Sequence, residues 1–200
     1  MRIPIRILAA ALLTAGLSAV GYVAYTVVDA RVYQAEEQRR FDAAVTAKAA
    51  VDVAVYAAAP AGLFRGGVID GGVIGEMRIP RIGLAAMVAQ GDSASILARA
   101  VGHLAETALP GDAGNVVLAG HRDTFFRPLK DVRIGDAITI RTVHGDVGYV
   151  VEWTAVVSPD QVQVIAPTDH EALTLITCFP FSFIGSAPDR FIVRARRLVS

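Results

Sequence analysis

Apolar residues follow one another without a charge from Ile7 to Val28, in the run ILAAALLTAGLSAVGYVAYTVV. A helix rising about 1.5 Å per residue over that length spans roughly the ~30 Å hydrocarbon core of a bilayer. Arg2 and Arg6 precede the run, and Asp29 and Arg31 follow it. A cleavable leader has a shorter apolar core, roughly 7–15 residues, so the pattern predicts an uncleaved anchor. Small residues between Ser18 and Ala24 keep cleavage as the alternative. Loop charge does not orient the span, because Arg31, Arg39 and Arg40 come after it.

From Asp29 to Ala59 neither glycine nor proline occurs, and alanine, glutamate, glutamine and arginine dominate. These are good helix formers, so a helical stalk is expected, ended by Pro60. Gly62, Gly66, Gly67, Gly71 and Gly72 then predict a flexible hinge. The sequence leaves open whether the stalk docks on the rest of the chain or self-associates.

At Val73 the period changes to short β-type runs punctuated by Gly, Pro and Asp. Strands are expected at 73–79, 84–89, 115–120, 136–142, 147–157, 172–177 and 190–197, with a short one near 101–104. Alternation is clear in AITIRT and YVVEWTAVV, and short helical pieces are expected only around 93–98 and 124–130. Evenly spaced short strands of this kind predict a mainly β domain, a closed or nearly closed antiparallel-type barrel. The expected division is a short cytoplasmic N-terminus at 1–6, an anchor at 7–28, the stalk and hinge at 29–72, and the barrel at 73–200. Residues 158–172 are too many for a hairpin turn, and long loops in compact domains usually carry function.

Composition changes this picture little. With 19 basic and 19 acidic residues, nothing favours nucleic acid as a partner, and no acidic excess suggests a disordered chain. The cysteine count matters more. Cys178 is alone, so it has no internal disulfide partner and is either a packed side chain or a reactive one.

Its placement favours chemistry. Cys178 ends the apolar run LTLITC, His121 is the first residue after NVVLAG, and Arg190 opens FIVRA. Three reactive side-chain types thus stand at the rims of three expected strands, where a rigid scaffold can pre-organise them. A cysteine attacks as thiolate, and a histidine can carry a proton to a leaving amine near neutral pH. An arginine stays cationic and presents a planar fork of donors to a developing oxyanion. A third residue to orient the histidine is not identifiable. Taken singly, Cys178 reads as a small core hydrophobe, His121 as a turn residue and Arg190 as a surface charge. That alternative makes the chain a non-catalytic, membrane-tethered β-domain that binds an extracellular peptide or partner.

Together, GNVVLAGHRDTFFRPL and LTLITCFPFSFIGSAPDRFIVRA resemble the sortases, membrane-anchored cysteine transpeptidases with a TLxTC motif, a GHR-type turn and a following arginine. MRIPRIGL, ALPGDAGN and RIGDAITIRT match flanking patterns, and the resemblance covers roughly Val73 to Ala195. It implies a closed eight-stranded β-barrel with Cys178 as nucleophile, His121 as general acid/base, and Arg190 as oxyanion or substrate-positioning residue. It further implies cleavage of an LPxTG-like signal after threonine, through a thioacyl-enzyme resolved by an amine. The partners implied are the sorting signals of secreted surface proteins and an acceptor such as a peptidoglycan precursor, at a bacterial plasma membrane with the catalytic domain extracytoplasmic. CFPFSFIGSAPDRF with GHRDTFF is most similar to class D, with class E next.

AGLFRGGVIDGGVIG lacks the Asp-Pro-aromatic lid common in pilus-assembling class C members, so anchoring is expected rather than pilus polymerisation. Some sortases bind calcium through clustered carboxylates; Glu152, Asp160, Asp169 and Glu171 are scattered, and no metal or cofactor is expected. His103, His144 and His170 read as turn or surface residues, with His103 near a position often close to the family's active site. In loop 158–172, apolar Val162, Val164, Ile165 and Ala166 are candidates to hold the Leu-Pro part of a signal, or else to pin the loop to the barrel. Thr177, next to the nucleophile, is a candidate to position substrate.

Overall fold

The computed structural model describes residues 5–55, 71–182, 185 and 187–198. The expected helix stop at Pro60, the glycines Gly62, Gly66 and Gly67, and the segment searched for a lid from Ala61 to Asp70 lie outside them.

Helix α1 runs unbroken over Ile5–Val55, so span and stalk are one rod. It is long and apolar enough to cross a membrane, and none of its apolar window is buried in the protein. Eight strands follow: β1 Val73–Ile79, β2 Leu84–Gln90, β3 Val101–His103, β4 Asn115–Ala119, β5 Ala137–Thr142, β6 Gly145–Val157, β7 Ala172–Phe179 and β8 Asp189–Arg197. They close into a barrel in the order β1-β2-β3-β4-β7-β8-β6-β5. The closure is mixed: β2 with β3 and β4 with β7 pair in parallel, and the other neighbours are antiparallel. The first hairpin turns through Pro80–Ile82 and Gly83, whose φ of +64° lies in the left-handed region that glycine enters without steric cost.

Inward side chains fill the barrel, among them Met77, Ile79, Val88, Leu118, Tyr149 and Leu175. Strand β2, LAAMVAQ, lacks polar alternation because both of its faces are covered. Leu84, Ala86 and Val88 face the core, and α1 lies against the other side. There the Met87 N–H donates to Gln34 Oε1 at 2.8 Å, and Gln34 Nε2 donates to Arg99 O at 2.6 Å. Arg99 pairs with Asp29 at 2.7 Å, Gln38 bonds Glu76 at 3.2 Å, and Arg141 pairs with Asp42 at 2.9 Å. Phe41 is buried beneath the Arg141 guanidinium, 5.4 Å from the ring centroid. The stalk docks on the barrel.

Just before β5, buried Asp136 ties its own turn to that of the first hairpin. It accepts from Arg81 Nε, from Arg81 Nη2 at 2.6 Å, and from the Arg133 N–H at 2.8 Å, while Arg81 also bonds Asp131 O. The hydrogen bond from Arg81 holds the Asp136 carboxyl below the usual carboxylate range. A depressed folded-state pKa contributes stability that is complete above the unfolded value near 4 and is lost as pH falls through the folded one. Asp136→Asn should therefore cost roughly 1–3 kcal/mol at neutral pH. In denaturant melts the gap to wild type should close below about pH 4; a constant gap down to pH 2 would count against this.

Candidate active site

Strand register assembles the site. Cys178 on β7 is the direct partner of Arg190 on β8, an antiparallel pair whose Cα atoms stand about 4.5–5.5 Å apart. On the other side of β7 runs β4 in parallel, with Ala119 opposite Ile176. Two residues further along each chain, His121 comes level with Cys178. The join is held on both sides: the Gly120 N–H donates to Ile176 O at 3.2 Å, and Thr177 Oγ1 donates to Gly120 O at 2.8 Å. With strands about 4.8 Å apart, the three residues form one row roughly 10 Å wide across β4, β7 and β8.

They also share a face. Val116 and Leu118 of β4, Leu173 and Leu175 of β7, and Val193 and Ala195 of β8 point into the core. Alternation therefore turns His121, Cys178 and Arg190 outward. Cys178 is half-buried, as is Arg190. Arg190 Nη1 is tied to Asp189 O at 3.0 Å and Ala187 O at 3.3 Å. Among the described residues its Nε and Nη2 make no hydrogen bond, which leaves donors for a ligand. Phe179, Phe181 and Phe191 pack ring against ring beside the pair, with centroids 5.3–6.3 Å apart, and stiffen this end of the hairpin.

The turn after β4 is built around Gly120. A Cβ there would meet the buried Phe126 ring at 2.8 Å, so only glycine lets that ring close the barrel end beneath the histidine. His121 O accepts the Phe126 N–H at 3.1 Å. Arg122, 6% exposed, reaches across and donates from Nη1 to Pro180 O at 2.8 Å, binding the histidine turn to the chain just past Cys178. Sequence reading passed over Arg122 as part of a turn; its signal is only visible once 121–123 and 178–180 are neighbours.

Four residues further along β8, on the same outer face, Arg194 lies buried under the β6–β7 loop, and burial pushes its guanidinium below its ordinary range. Its Nη2 donates to Val164 O at 2.9 Å, and Trp153 covers it at 5.5 Å. Asn115 donates to Val164 O and Ala166 O and accepts from Thr174 Oγ1 at 2.7 Å. The loop is thus pinned through its carbonyls. Of the loop residues expected to contact substrate, Val162 is 65% exposed, Val164 and Ile165 are half-buried, and Ala166 is exposed. Thr177 is buried and faces inward, its hydroxyl committed to Gly120, so it sets the β4–β7 join rather than lining the outer face. Between the row and the loop clamp lie Ala119, Ile176 and Ile192, an apolar floor.

His103 departs from the expected turn or surface role. It is 1% exposed in β3, with Nε2 2.8 Å from Ala108 O and Nδ1 2.9 Å from the Gln90 amide, and burial pushes its pKa down. It is a buried structural residue. His144 lies in a turn and His170 is exposed, as expected. Among the described residues no group of three His, Cys, Asp or Glu side chains is placed to hold a metal ion.

A sortase domain model matches residues 77–198. The chain belongs to the sortase family. Sortase D of Bacillus subtilis (strain 168) is 34% identical over 125 residues, covering 62% of this chain and 63% of that protein. The match thus spans less than two thirds of that relative. A sortase D5 transpeptidase of Clostridium perfringens superposes with a TM-score of 0.61 at 30% identity, over 66% of this chain and 83% of that one. Streptococcus agalactiae sortase C1, solved in complex with MTSET, gives a TM-score of 0.62 at 27% identity, over 79% of this chain and 90% of that one. Class D is favoured among sortase classes. The family assignment makes the closed eight-stranded barrel the expected fold and transpeptidation the family's activity.

Proposed function

We propose that this sortase is a membrane-anchored cysteine transpeptidase that cleaves an LPxTG-like sorting signal after its threonine and transfers the protein to an amine, attaching surface proteins to the cell wall. The observation that carries the reading is the row His121, Cys178, Arg190 at the ends of three adjacent strands and on one outer face. The apolar N-terminal half of α1 is the anchor, with the barrel outside the plasma membrane.

In this mechanism Cys178 Sγ attacks the threonine carbonyl carbon. The donors that Arg190 keeps unbonded take the developing oxyanion, whose charge a guanidinium stabilises in a partly desolvated site. His121 delivers a proton to the departing glycine amine, and the C–N bond breaks to leave a thioester. An incoming amine then attacks that thioester, His121 accepts its proton, and Cys178 is released. The signal lies over Ala119, Ile176 and Ile192, with the loop from Ser158 to Glu171 as one wall. The loop's carbonyl tethers hold that wall in place, and Val162, Val164, Ile165 and Ala166 meet the Leu-Pro segment from it. The C1 relative is solved in complex with MTSET, a thiol-directed reagent, which makes the same reagent a suitable probe of Cys178 here.

Incubating the full chain with an LPETG-type peptide and triglycine tests this. The expected products are a peptide ending in threonine joined to triglycine and, without triglycine, the slower hydrolysis product. Uncleaved peptide under both conditions would count against the reading.

A further inference from the structure

Two arginines are buried among the described residues. Arg122 is paired with the Asp123 carboxylate at 3.2 Å, whereas Arg194 has no ion pair. Glu152 acts on Arg194 only from a distance, being paired with Arg196 at 3.6 Å. Arg194 is 8% exposed, and its Nη2 is used on Val164 O. Its Nε and Nη1 are buried without a hydrogen-bond partner. A buried cation is tolerated when a carboxylate or a full set of acceptors replaces the water it loses. A water molecule would satisfy a donor and leave the charge. Beneath the β6–β7 loop the fold thus holds a cation whose anion no described residue supplies.

Strand register shows where that anion can come from. The outward pairs of β7 and β8 are Cys178 with Arg190, Ile176 with Ile192 and Thr174 with Arg194. Four residues at about 3.3 Å each put Arg194 about 13 Å from the nucleophile, at the far end of the apolar floor. A signal lying extended on that floor has its threonine carbonyl at Cys178. Its next four residues upstream are the variable residue, proline, leucine and the residue before the leucine. That last side chain comes level with Arg194. The loop above is held through its carbonyls by Asn115 and Arg194, and no side chain of Val162–Ile165 is buried, so it can lift and reclose without repacking the core.

We propose that Arg194 is a specificity-determining residue for the sorting signal: it takes the carboxylate of an aspartate or glutamate immediately before the leucine, and the loop closes over the pair. The inference rests on the transpeptidase reading. The carboxylate meets the donors Nε and Nη1, while Nη2 keeps the loop carbonyl.

The test compares two peptides, Glu-Leu-Pro-Ala-Thr-Gly and Gln-Leu-Pro-Ala-Thr-Gly, with the full chain in a neutral detergent. Wild type should favour the glutamate peptide by about tenfold or more in kcat/KM, carried by KM. Arg194→Met should bring the two peptides to within about twofold of each other, and Arg194→Lys should keep part of the preference. A merely structural Arg194 would instead lower both peptides alike in the Met variant and leave wild type without a preference. The chain's single tryptophan, Trp153, lies 5.5 Å from the Arg194 guanidinium, so its fluorescence reports binding without chemistry. Titrated in the Cys178→Ala chain, the glutamate peptide should bind about tenfold tighter than the glutamine peptide. Equal binding of the two, or a preference that survives Arg194→Met, overturns the proposal. Binding that separates the peptides while wild type cleaves neither would support Arg194 and overturn the transpeptidase reading.

Discussion

Cys178→Ala should leave a folded barrel with no thioacyl-enzyme and no turnover. The thiol is half-buried at the strand rim, outside the cluster of core side chains, so its removal opens no internal cavity of consequence. Melting should move by less than about 1 kcal/mol, the range of substitutions away from the core. Activity has no such reserve. The sulfur is both the atom that attacks and the atom that carries the acyl group, and water activated by His121 would have to replace a covalent route. A loss of at least about 10³-fold is expected, in line with removal of the nucleophile from other covalent hydrolases. Mass spectrometry of the enzyme with peptide should show an acyl adduct on wild type and none on the variant. MTSET should label native wild type once and be blocked by bound peptide. Turnover retained by the alanine variant would place the nucleophile elsewhere.

The second large effect concerns the flanking pair. His121→Ala should lower turnover by roughly 10²–10⁴, the usual worth of a positioned acid/base. Arg190→Ala should cost roughly 10²–10³ through loss of oxyanion stabilisation. Arg190→Lys should recover little, because a lysine presents a point charge where the arginine offers a planar fork fixed to Asp189 O and Ala187 O. The double variant decides whether the two act on one transition state. A combined loss well short of the product of the single losses is expected for residues working as a unit with Cys178. Turnover near wild type in either single variant would remove that residue from the mechanism.

The histidine turn and the cysteine strand are 57 positions apart, yet the parallel pairing of β4 with β7 makes them neighbours. Arg122 then braces the turn against Pro180, and Gly120 gives Phe126 room beneath it. The docking of α1 has the same character, since Gln34, Gln38 and Asp29 bind it to Met87, Glu76 and Arg99 of the barrel.

Local pattern was enough to identify the membrane-length helix, to mark all eight strands within a few residues, and to single out Cys178, His121 and Arg190 as candidates, which barrel closure places in one row. Periodicity and strand-end position are properties of neighbouring residues, so they can be read along the chain. What the tertiary structure alone decided are the two parallel pairings, the carbonyl clamp made by Asn115 and Arg194, the inward commitment of Thr177, the docking of α1 and the burial of His103. Glycine and proline near His103 suggest a turn, but its short strand is enclosed by β2 and β4. Each of these depends on which distant segment supplies the hydrogen-bond partner or covers the face, and that choice is made by closure of the barrel as a whole.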